Sequence, residues 1–168
     1  TGFALGDYTT WGSFAVLLFF YLTFIGGCSG STSGGLKIFR FQVAYVLLKA
    51  NLMQLVHPRA VIKQQYNNHN LDEDIVRSLI TFSFFFTITI GVLALALTLV
   101  GLDWVTALTG AATAVCNVGP GLGPIIGPVG NFASLPDSAK WLLTIGMLLG
   151  RLEILTVLVL FTRTFWKH

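Results

Sequence analysis

Ala114-Val115-Cys116-Asn117-Val118-Gly119-Pro120-Gly121-Leu122-Gly123 is a glycine-rich turn set between long apolar segments, and what surrounds it decides the fold. A backbone carrying Gly119, Pro120, Gly121 and Gly123 does not stay helical. At membrane depth such backbone is tolerated only where protein buries it or where it lines a water-filled cavity. The turn is therefore a candidate path for an ion or solute.

Composition supplies the membrane. The chain is 54% hydrophobic and 10% charged, with mean hydropathy +0.77, whereas soluble domains carry about a quarter charged residues. Eighteen Gly and fourteen Phe suit that class, since Gly is commoner in membrane helices than in soluble ones. The net charge of +3 could serve nucleic acid. However, the basic residues cluster in one inter-helix segment without interleaved aromatics, so topology explains them and no nucleic-acid partner is expected. Cys28 and Cys116 have no Cys or His at metal-ligand spacing and read as free thiols, with no structural metal. The chain opens Thr1-Gly2-Phe3, without an initiator Met or a readable signal peptide, and is taken as a piece of a longer protein.

Working outward from the turn, Asp103-Trp104 opens an apolar stretch to Val115. It is shorter than the roughly 20 residues a span needs, so 103–115 reads as a re-entrant pore helix followed by a filter at 116–121. Before it, 75–101 (IVRSLITFSFFFTITIGVLALALTLVG) is the clearest membrane helix, with Arg77 near its start and Asp72, Glu73 and Asp74 at the positive end of its dipole. After the turn, 122–140 is an outer loop punctuated by Pro124, Pro128 and Pro136. The run from Trp141 to Phe161 reads as a further span, with the helix drawn over 141–163.

Upstream, 57–74 is a polar loop in which His57 and His69 are expected to be solvated. Leu36 to Val56 is an amphipathic helix carrying Lys37, Arg40 and Lys49. Trp11 to Ile25 is apolar but short, and it is broken by Gly26, Gly27, Cys28, Ser29, Gly30, Ser31, Thr32, Ser33, Gly34 and Gly35, where no regular helix is expected. Lys37, Arg40, Lys49, Arg59, Lys63, Arg77, Arg163 and Lys167 fall on one side of this topology. The other side carries Asp7, Asp103 and Asp137 against Lys140. The basic side should be cytoplasmic, so the glycine turn opens outward.

The order helix, pore helix, glycine turn, helix suits a cation filter, in which carbonyl oxygens replace the hydration shell and glycine permits the backbone angles this requires. A weak internal repeat places Gly2 ahead of the Trp11 span as Gly119 lies ahead of the Trp141 span. Gly146 and Gly150 form a small-residue pair that permits close helix packing. Arg151 lies within a span and must face a cavity or a partner. No Ser, His and Asp set or carboxylate pair supports an enzyme, and a nucleotide cradle is disfavoured because Gly35 is followed by Leu36, Lys37 and Ile38.

TGFALGDY, GGCSGSTSGGLK, NVGPGLG, GRLE and the ending LFTRTFW together resemble the carboxy-terminal part of a bacterial Trk-type potassium uptake subunit, in the Trk/Ktr/HKT superfamily. The resemblance covers essentially the whole chain. It implies an all-α membrane protein of repeated helix, re-entrant pore loop, helix modules, of which this chain holds about one and a half of four. Residues 1–56 would end the third repeat, 57–74 would be a cytoplasmic loop and 75–168 the fourth repeat. The implied potassium filter is Thr1, Gly2 and Phe3 with Asn117, Val118, Gly119, Pro120 and Gly121. Pro120 departs from a regular filter because it lacks an N–H, so modest selectivity is expected.

The resemblance further implies that 26–35 is an intramembrane gate loop and that Arg151 is a pore-facing barrier to cations. Glu153 is expected to pair with another basic group such as Lys37. The implied function is potassium uptake across a bacterial cytoplasmic membrane by a multi-pass homodimer. It would need no cofactor beyond the transported K⁺, and a cytoplasmic nucleotide-binding regulatory subunit would dock on the basic face. The competing reading is a non-conducting assembly subunit or a Na⁺-permeable relative.

Overall fold

The structure, a computed structural model, describes residues 2–28, 30–31, 33–58, 65–66, 69–152, 159 and 166. A short 3-10 turn (Tyr8–Trp11) leads into α1 (Ser13–Thr23), and α2 (Ile38–Val56) follows the glycine-rich break. Then come α3 (Glu73–Leu99), α4 (Trp104–Cys116), the single turn α5 (Gly123–Ile126) and α6 (Asp137–Arg151). Among the described residues the fold is all-α apart from an isolated bridge between Ile25 and Leu36 and a minimal antiparallel ladder in the polar loop, β1 (Gln65–Tyr66) against β2 (His69–Asn70). That loop is tied back to α2, where the Tyr66 hydroxyl reaches Gln42 Oε1 at 2.6 Å and its ring meets Phe39 edge-on.

The core is built on α3. Phe82, Phe86, Ile90, Leu93 and Leu97 are its buried residues; their three- and four-residue spacing is one stripe of a helix. Phe84, Ile88, Val92, Leu95 and Leu99 are exposed, as suits a helix with lipid on its other side. Glu73–Leu99 is long and apolar enough to cross a membrane. The acidic residues do open it: Asp72 is the N-cap, with Glu73 and Asp74 in the first turn, and Glu73 pairs with Arg77 at 3.3 Å on the exposed surface.

The α3 stripe packs on α4, and α6 packs against both α4 and α3. Everything in α4 from Thr106 to Cys116 except Leu108 is buried, which a helix made of Ala, Gly and Thr with few large side chains allows. Gly146 and Gly150 are the close-approach points on α6. A Cβ at Gly146 would overlap the Leu93 side chain, and one at Gly150 would overlap the Val115 carbonyl oxygen. Packing is thus the role this glycine pair has.

Several boundaries differ from the sequence reading. Cys116 is the last residue of α4, one residue past the expected end of the pore helix at 115, because nothing before Asn117 breaks the helix. The outer loop is shorter than 122–140. It contains α5, and α6 begins at Asp137, with Pro136 as N-cap and a polar first turn in which Asp137 pairs with Lys140 at 3.0 Å. Beyond Arg151 only Leu152, Val159 and Trp166 are described, so the rest of the expected span, with Glu153, Arg163 and Lys167, lies outside the described residues, as do Thr1, Ser29, Thr32, Arg59 and Lys63.

Candidate functional site

The site is organised by the two ends of α4. At its start, Asp103 caps the helix and accepts the Thr106 amide at 3.1 Å, a cap favoured by geometry and dipole alike. The Thr106 hydroxyl and amide both hold the Asp103 carboxyl below its ordinary range. At its end, α4 stops because Asn117 adopts the left-handed conformation, φ 55 and ψ 42, which Asn tolerates better than most residues. The Asn117 amide donates to Ala114 O at 3.1 Å and the Val118 amide to Thr113 O at 3.1 Å, the pairing of a Schellman ending. The Asn117 side chain adds Nδ2 bonds to Val115 O at 3.4 Å and across to Met147 O on α6 at 3.1 Å.

Two α4 threonines, one turn apart, then hold the chain that follows. Thr113 Oγ1 accepts the Gly119 amide at 2.9 Å, and Thr109 Oγ1 accepts the Leu122 amide at 3.0 Å while donating to Val105 O at 2.7 Å. The Gly121 amide is taken by Ile126 O at 2.7 Å. Residues 117–122 are thus an extended strip strapped to a buried helix. The sequence reading missed Thr109 and Thr113. Their signal was a four-residue spacing of hydroxyls on an otherwise apolar helix that runs straight into a glycine turn.

The first residues of the chain meet this strip. Gly2 has φ 69 and Gly119 φ 124, both in the region that glycine enters without strain. A Cβ on Gly2 would overlap the Val118 carbonyl oxygen and lie 2.6 Å from Pro120 Cδ, while a Cβ on Gly119 would lie 3.9 Å from Gly2 Cα. The two segments that the sequence reading paired as filter remnants are therefore in van der Waals contact, although more than a hundred residues separate them. Phe3 is exposed. A cavity of about 630 Å³ runs from Gly2, Val118 and Pro120 to Thr23 and Ile25 at the foot of the 26–35 loop, with Tyr8 in its wall. Burial, and then the neighbouring Asp7, push the Tyr8 hydroxyl pKa above its ordinary value.

The loop itself is less slack than its composition implies. Gly26 donates to Leu36 O at 2.7 Å, Leu36 to Phe24 O at 2.9 Å and Ile38 to Gly27 O at 3.2 Å, so the base is clasped by backbone bonds. The Gly27 amide also reaches Ser33 Oγ at 2.8 Å, and Lys37 Nζ binds the Ser31 carbonyl. Gly30 and Cys28 are exposed at the tip. Gly34 reaches the end of α4, where a Cβ would overlap the Cys116 carbonyl oxygen and lie 3.0 Å from Asn117 Cβ. Arg151 is exposed and ends α6, directly after the glycine that touches Val115.

Chemically, the arrangement brings two glycine-bearing segments together at the end of a buried helix, with few ionised side chains beside them. Among the described residues there is no group of three His, Cys, Asp or Glu positioned to hold a metal ion.

A family model described as TrkH, cation transport protein, matches residues 1–167. The chain belongs to the TrkH cation transport protein family. It is 64% identical over 168 residues to the Trk system potassium uptake protein TrkI of Halomonas elongata, covering 100% of this chain and 34% of that protein. It is 39% identical over 167 residues to the Trk system potassium uptake protein TrkH of Escherichia coli K12, covering 99% and 34%. The fold matches the crystal structure of the potassium transporter TrkH from Vibrio parahaemolyticus with a TM-score of 0.85 at 36% identity, covering 99% of this chain and 34% of that one. The chain thus spans about a third of the length of these relatives.

Proposed function

We propose that the protein containing this chain takes up potassium across the cytoplasmic membrane through a channel-like pore, and that the chain supplies part of a backbone-carbonyl filter together with an intramembrane gate loop. The observation that carries this is the contact of Gly2 with Val118 and Pro120. Two glycine turns from distant parts of the chain converge at the end of one buried helix, where carbonyls rather than side chains are the available ligands. The names of the relatives supply the ion. Potassium would enter from the outer side, shed water at Gly2 and at 117–121, and pass the clasped loop at 26–35. Arg151 would raise an electrostatic barrier below the filter. The membrane potential contributes about 2.3 kcal/mol per charge per 100 mV to such a passage.

By the same reading the subunit works as a homodimer. A nucleotide-binding regulator would dock on the cytoplasmic face carrying Lys37, Arg40, Lys49 and Arg77. Lys37 and Arg40 share a cavity of about 420 Å³ with Asp74 and Ser78, so the starts of α2 and α3 present one composite surface there.

The test is Gly119→Ser in the full-length subunit, reconstituted in vesicles with K⁺ and Na⁺ uptake measured side by side. A Cβ at Gly119 would meet only Gly2 Cα, at an ordinary contact distance of 3.9 Å, but φ there is positive, so the substitution distorts the backbone more than the packing. The K⁺ preference should fall sharply. Unchanged K⁺ and Na⁺ uptake would reject the filter assignment, whereas no K⁺ uptake by the unsubstituted subunit would favour a non-conducting assembly role.

A further inference from the structure

Among the loop glycines, Gly34 meets a part of the chain distant in sequence. Gly30 has no neighbour within 4 Å. Gly26, Gly27 and Gly35 meet atoms of the loop or of the residues flanking it, namely the Phe24, Gly34 and Leu36 carbonyls and the Ser31 and Ser33 side chains. Gly34 instead meets the Cys116 carbonyl and Asn117 Cβ, where α4 passes into the strip at 117–121. Across the same helix end, Gly150 abuts the Val115 carbonyl. Two consecutive carbonyls of α4 are therefore gripped by two glycines, one on the loop and one on α6.

Neither contact has slack, since a single methyl group at either position overlaps a backbone oxygen. Asn117 sits at the centre of this arrangement. Its left-handed backbone ends the helix, its amide group ties Val115 to Met147 on α6, and its Cβ faces Gly34. On the α6 side the helix end is braced by the core. On the other side its neighbour is a loop clasped at the base and exposed at the tip. Packed interfaces of this kind respond to displacement in discrete steps and do not deform continuously. A loop that shifts at Gly34 must therefore press on Asn117 or release it.

We propose that Gly34 is a positioning residue that couples the 26–35 loop to the filter segment 117–121, so that the conformation of the loop sets ion discrimination at the filter as well as flux. The proposal rests on the filter and gate reading above. It adds that the two act as one unit, joined at the Gly34–Asn117 contact. By linkage the coupling is reciprocal, so a change at Asn117 biases the loop by the same free energy as a change at Gly34 biases the filter.

The experiment uses the full-length subunit in vesicles and compares Gly34→Ala, Gly91→Ala and Gly119→Ser for the ratio of K⁺ to Na⁺ uptake. Gly34→Ala should lower the ratio by at least about fivefold, the low end of energetic coupling between sites. Gly91→Ala, on α3 with no neighbour within 4 Å, should leave it at the wild-type value. A wild-type ratio for Gly34→Ala alongside a lowered ratio for Gly119→Ser overturns the coupling and leaves the filter reading standing. A wild-type ratio for Gly119→Ser overturns both.

Should Gly34→Ala fail to reach the membrane, Asn117→Ala provides the reciprocal measurement. It removes the amide bonds to Val115 and Met147 and keeps the Cβ. The rate at which Cys28, exposed in the loop, reacts with a small thiol reagent is then read by peptide mass spectrometry. A change of about fivefold or more supports the coupling, and an unchanged rate overturns it.

Discussion

Replacing Thr113 with Val removes one oxygen and keeps the shape of the side chain. Thr113 is buried, and its hydroxyl accepts the Gly119 amide at 2.9 Å. A hydrogen bond of this kind is worth about 0.5–1.5 kcal/mol net, and a buried donor left unpaired costs about 1–3 kcal/mol. Gly119 is exposed, so water can reach its amide once Thr113 lets go, and the cost should sit near 1 kcal/mol. That corresponds to about a fivefold shift between the strapped and released forms of the filter segment. In vesicles containing the full-length subunit, Thr113→Val should lower the K⁺ to Na⁺ uptake ratio by about that factor, while Thr113→Ser, which keeps the acceptor, should hold the wild-type ratio. Thr89→Val is the matched control, since its hydroxyl back-bonds to Phe85 O within α3. A folded Thr113→Val subunit with wild-type discrimination would refute the claim that this hydroxyl holds the filter.

Two further predictions concern α4. Asp103→Ala removes the N-cap and should cost about 1 kcal/mol of stability. Because the folded carboxyl titrates below its ordinary value, the stabilisation is complete above pH 3.8, the ordinary value. It is lost as pH falls through the depressed folded value, so thermal melts of the two proteins should differ at neutral pH and converge in strong acid. A stability gap that persists unchanged there would contradict the cap. Gly150→Ala forces a methyl group onto the Val115 carbonyl oxygen and should prevent normal accumulation of the subunit. A Gly150→Ala variant of wild-type yield and melting temperature would mean that α6 does not approach α4 as closely as described.

Much of this fold was legible in the residues. An apolar run preceded by Asp72, Glu73 and Asp74 can be little other than α3, and Asp103-Trp104 followed by small residues announces a buried capped helix. The end of α4 was misread at Cys116 because only Asn117 marks it, and a left-handed Asn carries a weaker signal than Gly. The start of α6 was missed because Asp137, Ser138 and Lys140 resemble a loop in composition, although Pro136 in front of them suits an N-cap. Within the site, Gly2 and Gly119 could be paired by pattern, but their contact could not be foreseen from spacing. The clasp between Gly26 and Leu36 was invisible for a physical reason. Backbone bonds depend on where the chain returns, and composition describes only how freely it could bend. The same limit hid Thr109 and Thr113, whose hydroxyls on an apolar helix usually satisfy only their own backbone.

The buried core cluster lies entirely between Phe82 and Leu143, whereas α1 has no buried residue and α2 only Val43 and Ala50. The strip at 117–121 is therefore mounted on a core completed within this chain. The helices on either side of the 26–35 loop leave large apolar residues such as Phe14, Leu18, Phe41 and Leu52 uncovered, a surface on which the rest of a subunit of the relatives' length can pack.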